Sequence, residues 1–298
     1  MESQKICRLL ILIFLILTLL FCFLYSKEEN EETVISEEFV SEAVENLNSN
    51  GIVISRSILE REIPEMNIYC FDFDPSIKYD SFLADALISG VFGDSITTTE
   101  FDTPGGTSLG IYNADSDENE VGRLVFSGDA STFKLSLKGV GMSGGENPIL
   151  NNNTEYLSDT IKNKVMLICD RLINKNRFSY RIAGSTYDDY LIVTVVQTIE
   201  GHDIRDMYIN FIFENENLIL ASGKWITNSP RPEYHNTLTD GINILYNLDF
   251  DEVLEIHSER VVYSLRKAKN NSCFLLPGWE IEYTDINGKY KKVYFDAV

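Results

Sequence analysis

The sequence predicts an α+β protein with one N-terminal transmembrane helix and two domains that each consist of a helix followed by an antiparallel sheet. Each half of the chain begins with apolar residues at helical spacing and continues with alternating strands separated by turn residues. The chain lacks the alternation of strand, helix and parallel strand that is typical of α/β proteins. A boundary near Gly145, in a Gly-rich segment, separates the two predicted domains, 36–145 and 146–298.

The first element is the apolar stretch Leu9–Tyr25, in which only Thr18 and Cys22 are mildly polar. A helix of this length spans about 26 Å, close to the ~30 Å hydrocarbon core of a bilayer. Lys5 and Arg8 precede it and KEENEE follows it, so the positive-inside rule predicts a cytoplasmic N-terminus and an extracytoplasmic bulk. The prediction is a single-pass protein of the cell membrane with a cytoplasmic tail (1–8), a transmembrane helix (9–25) and a stalk (26–35).

Two other interpretations of this stretch fit less well. A cleaved signal peptide needs small residues at its cleavage site, where Leu24 and Ser26 are a poor pair, and a lipoprotein needs a small residue where Phe21 stands. Thr18 and Cys22 are spaced i, i+4, so they share one helix face. We predict that this face contacts a partner helix through Phe14, Leu15, Thr18, Cys22 and Tyr25.

The first predicted domain begins with a short amphipathic helix. Ser36 offers an N-cap, Glu37 and Glu38 favour the first turn, and Asn50-Gly51 supplies the stop. A strand, NIYCFDF, and a second helix from Ser81 to Phe92 follow. Period-two alternation then predicts an antiparallel meander from Ser95 to Leu137.

The second predicted domain repeats this order. Thr154 is the expected cap of a longer helix, whose apolar stripe is Leu157, Ile161, Val165, Ile168, Cys169 and Leu172. Four strands follow, RFSYRIA, DYLIVTVVQTI, DMYINFIF and NLILASGKWI, with ENEN as a tight turn before the last. A short helix near Leu238–Tyr246 precedes a closing hairpin with an INGK turn.

Charge and cysteine content narrow the function classes. The net charge of −21 leaves no cationic patch through which phosphate binding could act, so nucleic-acid binding is excluded. Cys70, Cys169 and Cys273 lack the close spacing of a disulfide framework, and whether they include one bridge stays open.

Two glycine motifs share the segment between the predicted domains. Gly139, Gly141 and Gly144 match GxGxxG, but no helix opens at the third glycine and the preceding strand belongs to a meander. Ser143 stands in GxSxG with His202, His235 and His257 downstream, yet a nucleophile elbow needs a following helix and a parallel sheet. A flexible linker is the preferred interpretation, with a serine hydrolase as an alternative.

No metal or catalytic constellation is predicted. The three histidines are widely spaced, and Asn113, Asp115, Asp117 and Asn119 lack the glycine and glutamate of a calcium loop. Asp72 and Asp74 are expected on one exposed strand face. We therefore predict no catalytic residues, metal or cofactor. Trp225 and Trp279 are candidate ectodomain interface anchors, although core packing is the commoner use of such residues.

Two regions carry a family resemblance. Ser36–Met66, with SEEFVSEAVENLNSNGIVIS running into REIPEM, and Pro277–Ala297, PGWEIEYTDINGKYKKVYFDA, resemble the YycH/YycI regulatory proteins. The same ending looks like that of PepSY-type modules. The family contains membrane-anchored, non-enzymatic regulators of the WalK (YycG) sensor histidine kinase of low-GC Gram-positive bacteria. The stretch from Ser95 to Gly145 matches no such pattern.

The resemblance implies a non-enzymatic, membrane-anchored regulator of a two-component sensor histidine kinase, acting through ectodomain and transmembrane-helix contacts, with PepSY-like or cystatin-like domains. The expected partners are the membrane and the kinase or a paralogous regulator, without nucleic acid. The first alternative is an extracytoplasmic PepSY/cystatin-like binding or inhibitor module. The second is an anchored serine hydrolase that uses Ser143.

Overall fold

The computed structural model describes residues 17–18, 34–59, 62–72, 74, 76–127, 131–138, 157–173, 177–187, 190–248, 252–268 and 272–297. Their chain contacts divide into two compact units. Unit 1 comprises the described residues of Met1–Met66, His235–Val261 and Pro277–Val298, and unit 2 those of Asn67–Tyr234 and Val262–Leu276. Neither unit is a continuous stretch of chain.

The elements follow one another as α1 (Glu37–Ser49), β1 (Val53–Ile54), a 3-10 turn (Arg56–Ile58), β2 (Glu65–Asp72), α2 (Ser81–Phe92), β3 (Ile96–Thr103), β4 (Gly106–Asn113), β5 (Ser116–Ser127), β6 (Thr132–Leu137), α3 (Asp159–Ile173), β7 (Phe178–Tyr187), β8 (Tyr190–Ile199), β9 (His202–Glu214), β10 (Asn217–Lys224), β11 (Arg231–Thr237), α4 (Gly241–Leu245), β12 (Val253–Lys267), β13 (Ser272–Asp285) and β14 (Tyr290–Asp296).

The predicted α+β class is wrong, because 56% of the described residues are in strands and 22% in helices. The two predicted antiparallel sheets are not separate. Strand β6 pairs antiparallel with β10, so β3–β6 and β7–β10 lie in one sheet of unit 2. That sheet is mixed, since β12 runs parallel to β9 at Tyr263 and Ile204. The alternation of the strands predicted their existence, but pairing between distant segments leaves no local signal.

The predicted single-pass membrane character is not supported by the structure. Of Leu9–Tyr25, only Leu17 and Thr18 are described, and both are helical. Within the described ranges, no helix is long and apolar enough to cross a membrane. The rest of the predicted partner face, Phe14, Leu15, Cys22 and Tyr25, lies outside the described residues.

Local signals set most of the predicted element ends. Ser36 caps α1, its side chain accepting a hydrogen bond from Phe39 N at 3.2 Å. The ENEN turn joins β9 to β10 with positive φ at Asn215 and Glu216, and Gly288 (φ 75°) lies in the INGK turn between β13 and β14. Thr154 lies outside the described residues, and the described helix α3 begins at Asp159.

In unit 2, helices α2 and α3 supply a shared apolar core with the sheet. The predicted stripe of α3 is buried from Ile161 to Leu172. Gly90 of α2 allows close packing of the two helices, because a Cβ at this position would lie only 2.5 Å from Ile168 Cγ1. The inward-facing strand residues of this core include Ile111, Leu124, Phe126, Leu135, Val193, Val195, Ile209 and Phe211, and Trp225 joins them from the segment after β10.

In unit 1, α1 buries Val40, Ala43 and Leu47, and β1 pairs parallel with β12. The closing hairpin pairs β13 with β14 from Gly278–Asp296 to Thr284–Tyr290. Trp279 on β13 is fully buried, and its Nε1 donates a hydrogen bond to Thr239 O at 2.7 Å.

Candidate functional site

Unit 2 contains a cavity of about 510 Å³. Its walls come from the end of β2, the segment leading into α2, the segment after β10, and the facing ends of β12 and β13. The lining residues are Phe71, Asp74, Ile77, Tyr79, Asp80, Ser81, Phe82, Ser131, Trp225, Ile226, Thr227, Asn228, Ser229, Leu265, Lys267 and Cys273. This volume lies within the range of small-molecule sites, ~300–1,000 Å³.

The lining is mainly apolar. Phe71, Trp225 and Ile226 are buried in it, whereas Ile77 and Phe82 line it with 51% and 45% of their surface exposed. Large apolar side chains that remain exposed beside a cavity gain roughly 25 cal/mol per Å² when a ligand covers them. The cavity therefore favours an apolar occupant.

The wall formed by residues 225–229 is held in place by side chains of other elements. Gln197 donates from Nε2 to Ile226 O at 2.6 Å and accepts from Ile226 N at 3.0 Å. Asp80 accepts from Leu83 N at 2.9 Å as the N-cap of α2, and its other oxygen accepts from the Thr227 hydroxyl. Asn228 Nδ2 donates to Asp72 O at 2.9 Å. The wall is thus fixed before any ligand arrives.

Tyr79 adds an aromatic surface to the cavity. Its ring stacks on Phe126, with centroids 5.4 Å apart and an interplanar angle of 28°. Burial, helped by the negative charges of Glu100 and Asp85, raises the pKa of the Tyr79 phenol. The hydroxyl therefore stays neutral at physiological pH.

Trp225 is the most deeply buried aromatic residue of the lining. Its side chain is fully buried, and its Nε1 has no hydrogen-bond partner within the described ranges. A buried indole N–H usually has a partner, and an unpaired buried donor costs about 1–3 kcal/mol. The described residues thus leave unused the hydrogen-bonding capacity of the indole donor of this lining residue.

Cys273 places a thiol on the cavity wall. It is 2% exposed, and it lies opposite Phe71 in the β2–β13 register, whereas Cys70 lies opposite Phe274. Successive side chains of a strand point to opposite faces, so Cys70 and Cys273 do not share a face. Cys70, Cys169 and Cys273 form no disulfide with one another, which answers the open question for these three. Burial raises the pKa of Cys70 and Cys169.

The histidines singled out in the sequence are not brought together. His235 Nε2 lies 3.0 Å from Glu65 Oε2, His257 Nε2 lies 2.6 Å from Thr284 Oγ1, and the His202 ring packs edge-on against Tyr263. Ser143 and the three motif glycines lie outside the described residues. No group of three metal-ligating side chains occurs in the part of the chain that the structure describes.

The other predicted site residues lie as follows. Asp72 ends β2 and pairs with Arg231 at 3.1 Å, whereas Asp74 lies in a turn, where Ser76 N donates to it at 2.9 Å. Trp225 and Trp279 are both fully buried, one in unit 2 and one in unit 1, and their predicted role as interface anchors stays a prediction.

Sequence reasoning did not find the cavity. Its lining residues Ile77, Trp225 and Leu265 come from segments far apart in the chain. Gln197, which holds Ile226 on the wall, lies within a mostly apolar strand. The one local signal is the segment IKYDSF, in which Ile77, Tyr79 and Phe82 line the cavity and Asp80 is a helix N-cap.

No protein-family model matches the chain, and no curated protein matches it. Among solved structures, the chain is similar to the crystal structure of an uncharacterized protein from Eubacterium rectale, with 9% sequence identity and a TM-score of 0.49. That similarity covers 89% of this chain and 97% of the other.

Proposed function

We propose that this protein is a non-enzymatic binding protein that takes a small apolar molecule into the cavity of unit 2. The observation that carries the proposal is the preformed apolar cavity of about 510 Å³, with a wall fixed by Gln197 and Asp80. Preorganised walls favour binding because little conformational freedom is lost when the ligand enters.

The chemistry of the lining supports binding rather than a reaction. The Asp80 carboxylate already accepts hydrogen bonds from Leu83 N and Thr227. The buried part of the lining is aromatic and aliphatic, apart from the Cys273 thiol and the Trp225 N–H. Of the functions expected from the sequence, the binding module fits this cavity best. Regulation of a sensor histidine kinase and hydrolysis by Ser143 stay predictions.

A fluorescence titration tests the proposal. N-phenyl-1-naphthylamine, a neutral probe that brightens in apolar surroundings, is titrated into the full chain. We expect saturable binding of one probe per chain. Ile77→Asp should weaken binding roughly tenfold or more, because it places a charge on the apolar lining.

The matched control is Leu167→Asp in the same unit. Leu167 is 52% exposed, much like Ile77, but it is on α3 and does not line the cavity. Its substitution should leave the probe affinity unchanged. Absence of saturable binding to the wild type, or equal weakening by both substitutions, would contradict the proposal.

A further inference from the structure

We infer that the ligand is an apolar molecule with a neutral carbonyl-type hydrogen-bond acceptor, and that Trp225 Nε1 donates the hydrogen bond that recognises it. This inference rests on the proposed function, because it concerns the chemical class of ligand that the same cavity takes.

The two tryptophans of the chain provide an internal comparison. Both are fully buried, but Trp279 Nε1 donates to Thr239 O at 2.7 Å, whereas Trp225 Nε1 has no partner among the described residues. Trp225 lines the cavity and Trp279 does not. The unused indole donor therefore belongs to the tryptophan that lines the cavity.

Two acceptors of the cavity lining are already engaged. Ile226 O accepts from Gln197, and the Asp80 carboxylate accepts from Leu83 N and Thr227. The backbone N–H of Trp225 donates to Ser131 O at 3.2 Å. An acceptor brought by the ligand would satisfy Nε1 without breaking any of these hydrogen bonds.

The charges around the cavity decide between a neutral and an anionic acceptor. Among the described lining residues, Asp74 and Asp80 are acidic and Lys267 is basic, and the whole chain carries a net charge of −21. A carboxylate ligand would enter against this negative potential and lose its hydration beside apolar walls. A ketone, ester or amide oxygen accepts the hydrogen bond without these costs.

Two probes of the same shape test the inference. They are 2-acetylnaphthalene, which has the carbonyl, and 2-isopropenylnaphthalene, in which a CH₂ group replaces the oxygen. Each displaces N-phenyl-1-naphthylamine from the full chain. We expect the ratio of the two affinities, ketone over hydrocarbon, to fall about tenfold in Trp225→Phe, the effect of one lost hydrogen bond. Trp279→Phe should leave this ratio as in the wild type.

A second measurement, on protein that keeps Trp225, tests the inference even if the Trp225→Phe variant does not fold. The chain has two tryptophans, so its ¹⁵N–¹H spectrum contains two indole signals, and the one that persists in Trp279→Phe belongs to Trp225. The ketone should move the Trp225 signal downfield, and the hydrocarbon should not.

The outcomes separate the inference from the proposed function. If both probes displace the fluorophore but the ratio is the same in Trp225→Phe, or the ketone leaves the indole signal in place, the inference is wrong and the binding function stands. If 2-naphthoate binds more tightly than the ketone, the neutral class is wrong. If no probe binds, the proposed function fails and the inference fails with it.

Discussion

Gln197 and Ile226 form two hydrogen bonds, with Gln197 Nε2 donating to Ile226 O at 2.6 Å and Ile226 N donating to Gln197 Oε1 at 3.0 Å. The Gln197 side chain is fully buried. Its two hydrogen bonds take the place of those that a neighbouring strand would make with the backbone after β10. This pair links the sheet of unit 2 to the wall of the cavity, because Ile226 is a lining residue.

Replacing this side chain should loosen the wall. We expect Gln197→Leu to lower the free energy of unfolding by about 2–4 kcal/mol, because two buried backbone groups of Ile226 lose their partners. Urea denaturation measures the change. Asn217→Ala, at the exposed first residue of β10, should change stability by less than about 0.5 kcal/mol. A Gln197→Leu variant as stable as the wild type would show that the pair does not hold the wall.

A buried carboxylate occupies the space that a Cβ at position 241 would need. A Cβ at this position would lie 1.5 Å from Glu259 Oε1, and Glu259 is only 5% exposed. Gly241→Ala should therefore lower the free energy of unfolding by roughly 1–3 kcal/mol. Gly105→Ala, where no atom lies within 4 Å of the new Cβ, is the matched control.

The double variant Gly241→Ala/Glu259→Ala tests the cause of that loss. Removing the carboxylate removes the clash, so the double variant should be less destabilised than the sum of the two single variants. Strict additivity would contradict a direct clash between Gly241→Ala and the Glu259 side chain.

Glu282 on β13 should contribute to the pH dependence of stability. Burial acts to raise its pKa, but hydrogen bonds from Lys292 and Tyr290 and the charges of Lys292 and Arg260 outweigh burial, so its pKa lies below the usual value. A lowered pKa in the folded state stabilises the protein above the unfolded pKa, and this contribution is lost as pH falls through the folded pKa. Below about pH 4.5 the wild type should therefore lose stability more steeply than Glu282→Gln.

Lys292→Met provides a second test of the same carboxyl group. Without the Lys292 ammonium group, the pKa of Glu282 should move back toward its usual range, and the acid loss of stability should become shallower. The measurement is the free energy of unfolding between pH 3 and pH 7. Curves with the same slope for the wild type and both variants would contradict the assignment.

The Cys273 thiol should report on occupancy of the cavity. It lines the cavity, whereas Cys70 faces the other side of the β2–β13 pair. Bound N-phenyl-1-naphthylamine should slow alkylation of Cys273 at least severalfold and leave the rate at Cys70 unchanged, as measured by mass spectrometry of the cysteine peptides. Equal protection of both thiols would indicate an effect of the probe away from the cavity.

Local chemistry predicted much of the secondary structure. Ser36, the ENEN turn and the INGK turn act within a few residues, so each is visible in the sequence. The fold class was not predictable in this way. The fold class depends on β6 pairing with β10 and on β12 running parallel to β9. The alternation of apolar and polar residues within a strand does not reveal which other strand it pairs with.

The cavity depends on the same long-range arrangement. Phe71, Trp225 and Cys273 are separated by more than 45 residues from one another in the chain, and each has an ordinary core pattern around it. The sequence offers Trp225 as a candidate interface anchor because tryptophan is common at interfaces. Only the structure shows its buried Nε1 without a partner among the described residues.

The most direct test of ligand binding in unit 2 is a crystal structure of the full chain with N-phenyl-1-naphthylamine. We predict electron density for the probe in the cavity, in contact with Trp225, Leu265 and Ile77. A cavity that holds only water, with the probe bound elsewhere on the chain or absent, would contradict the proposed function.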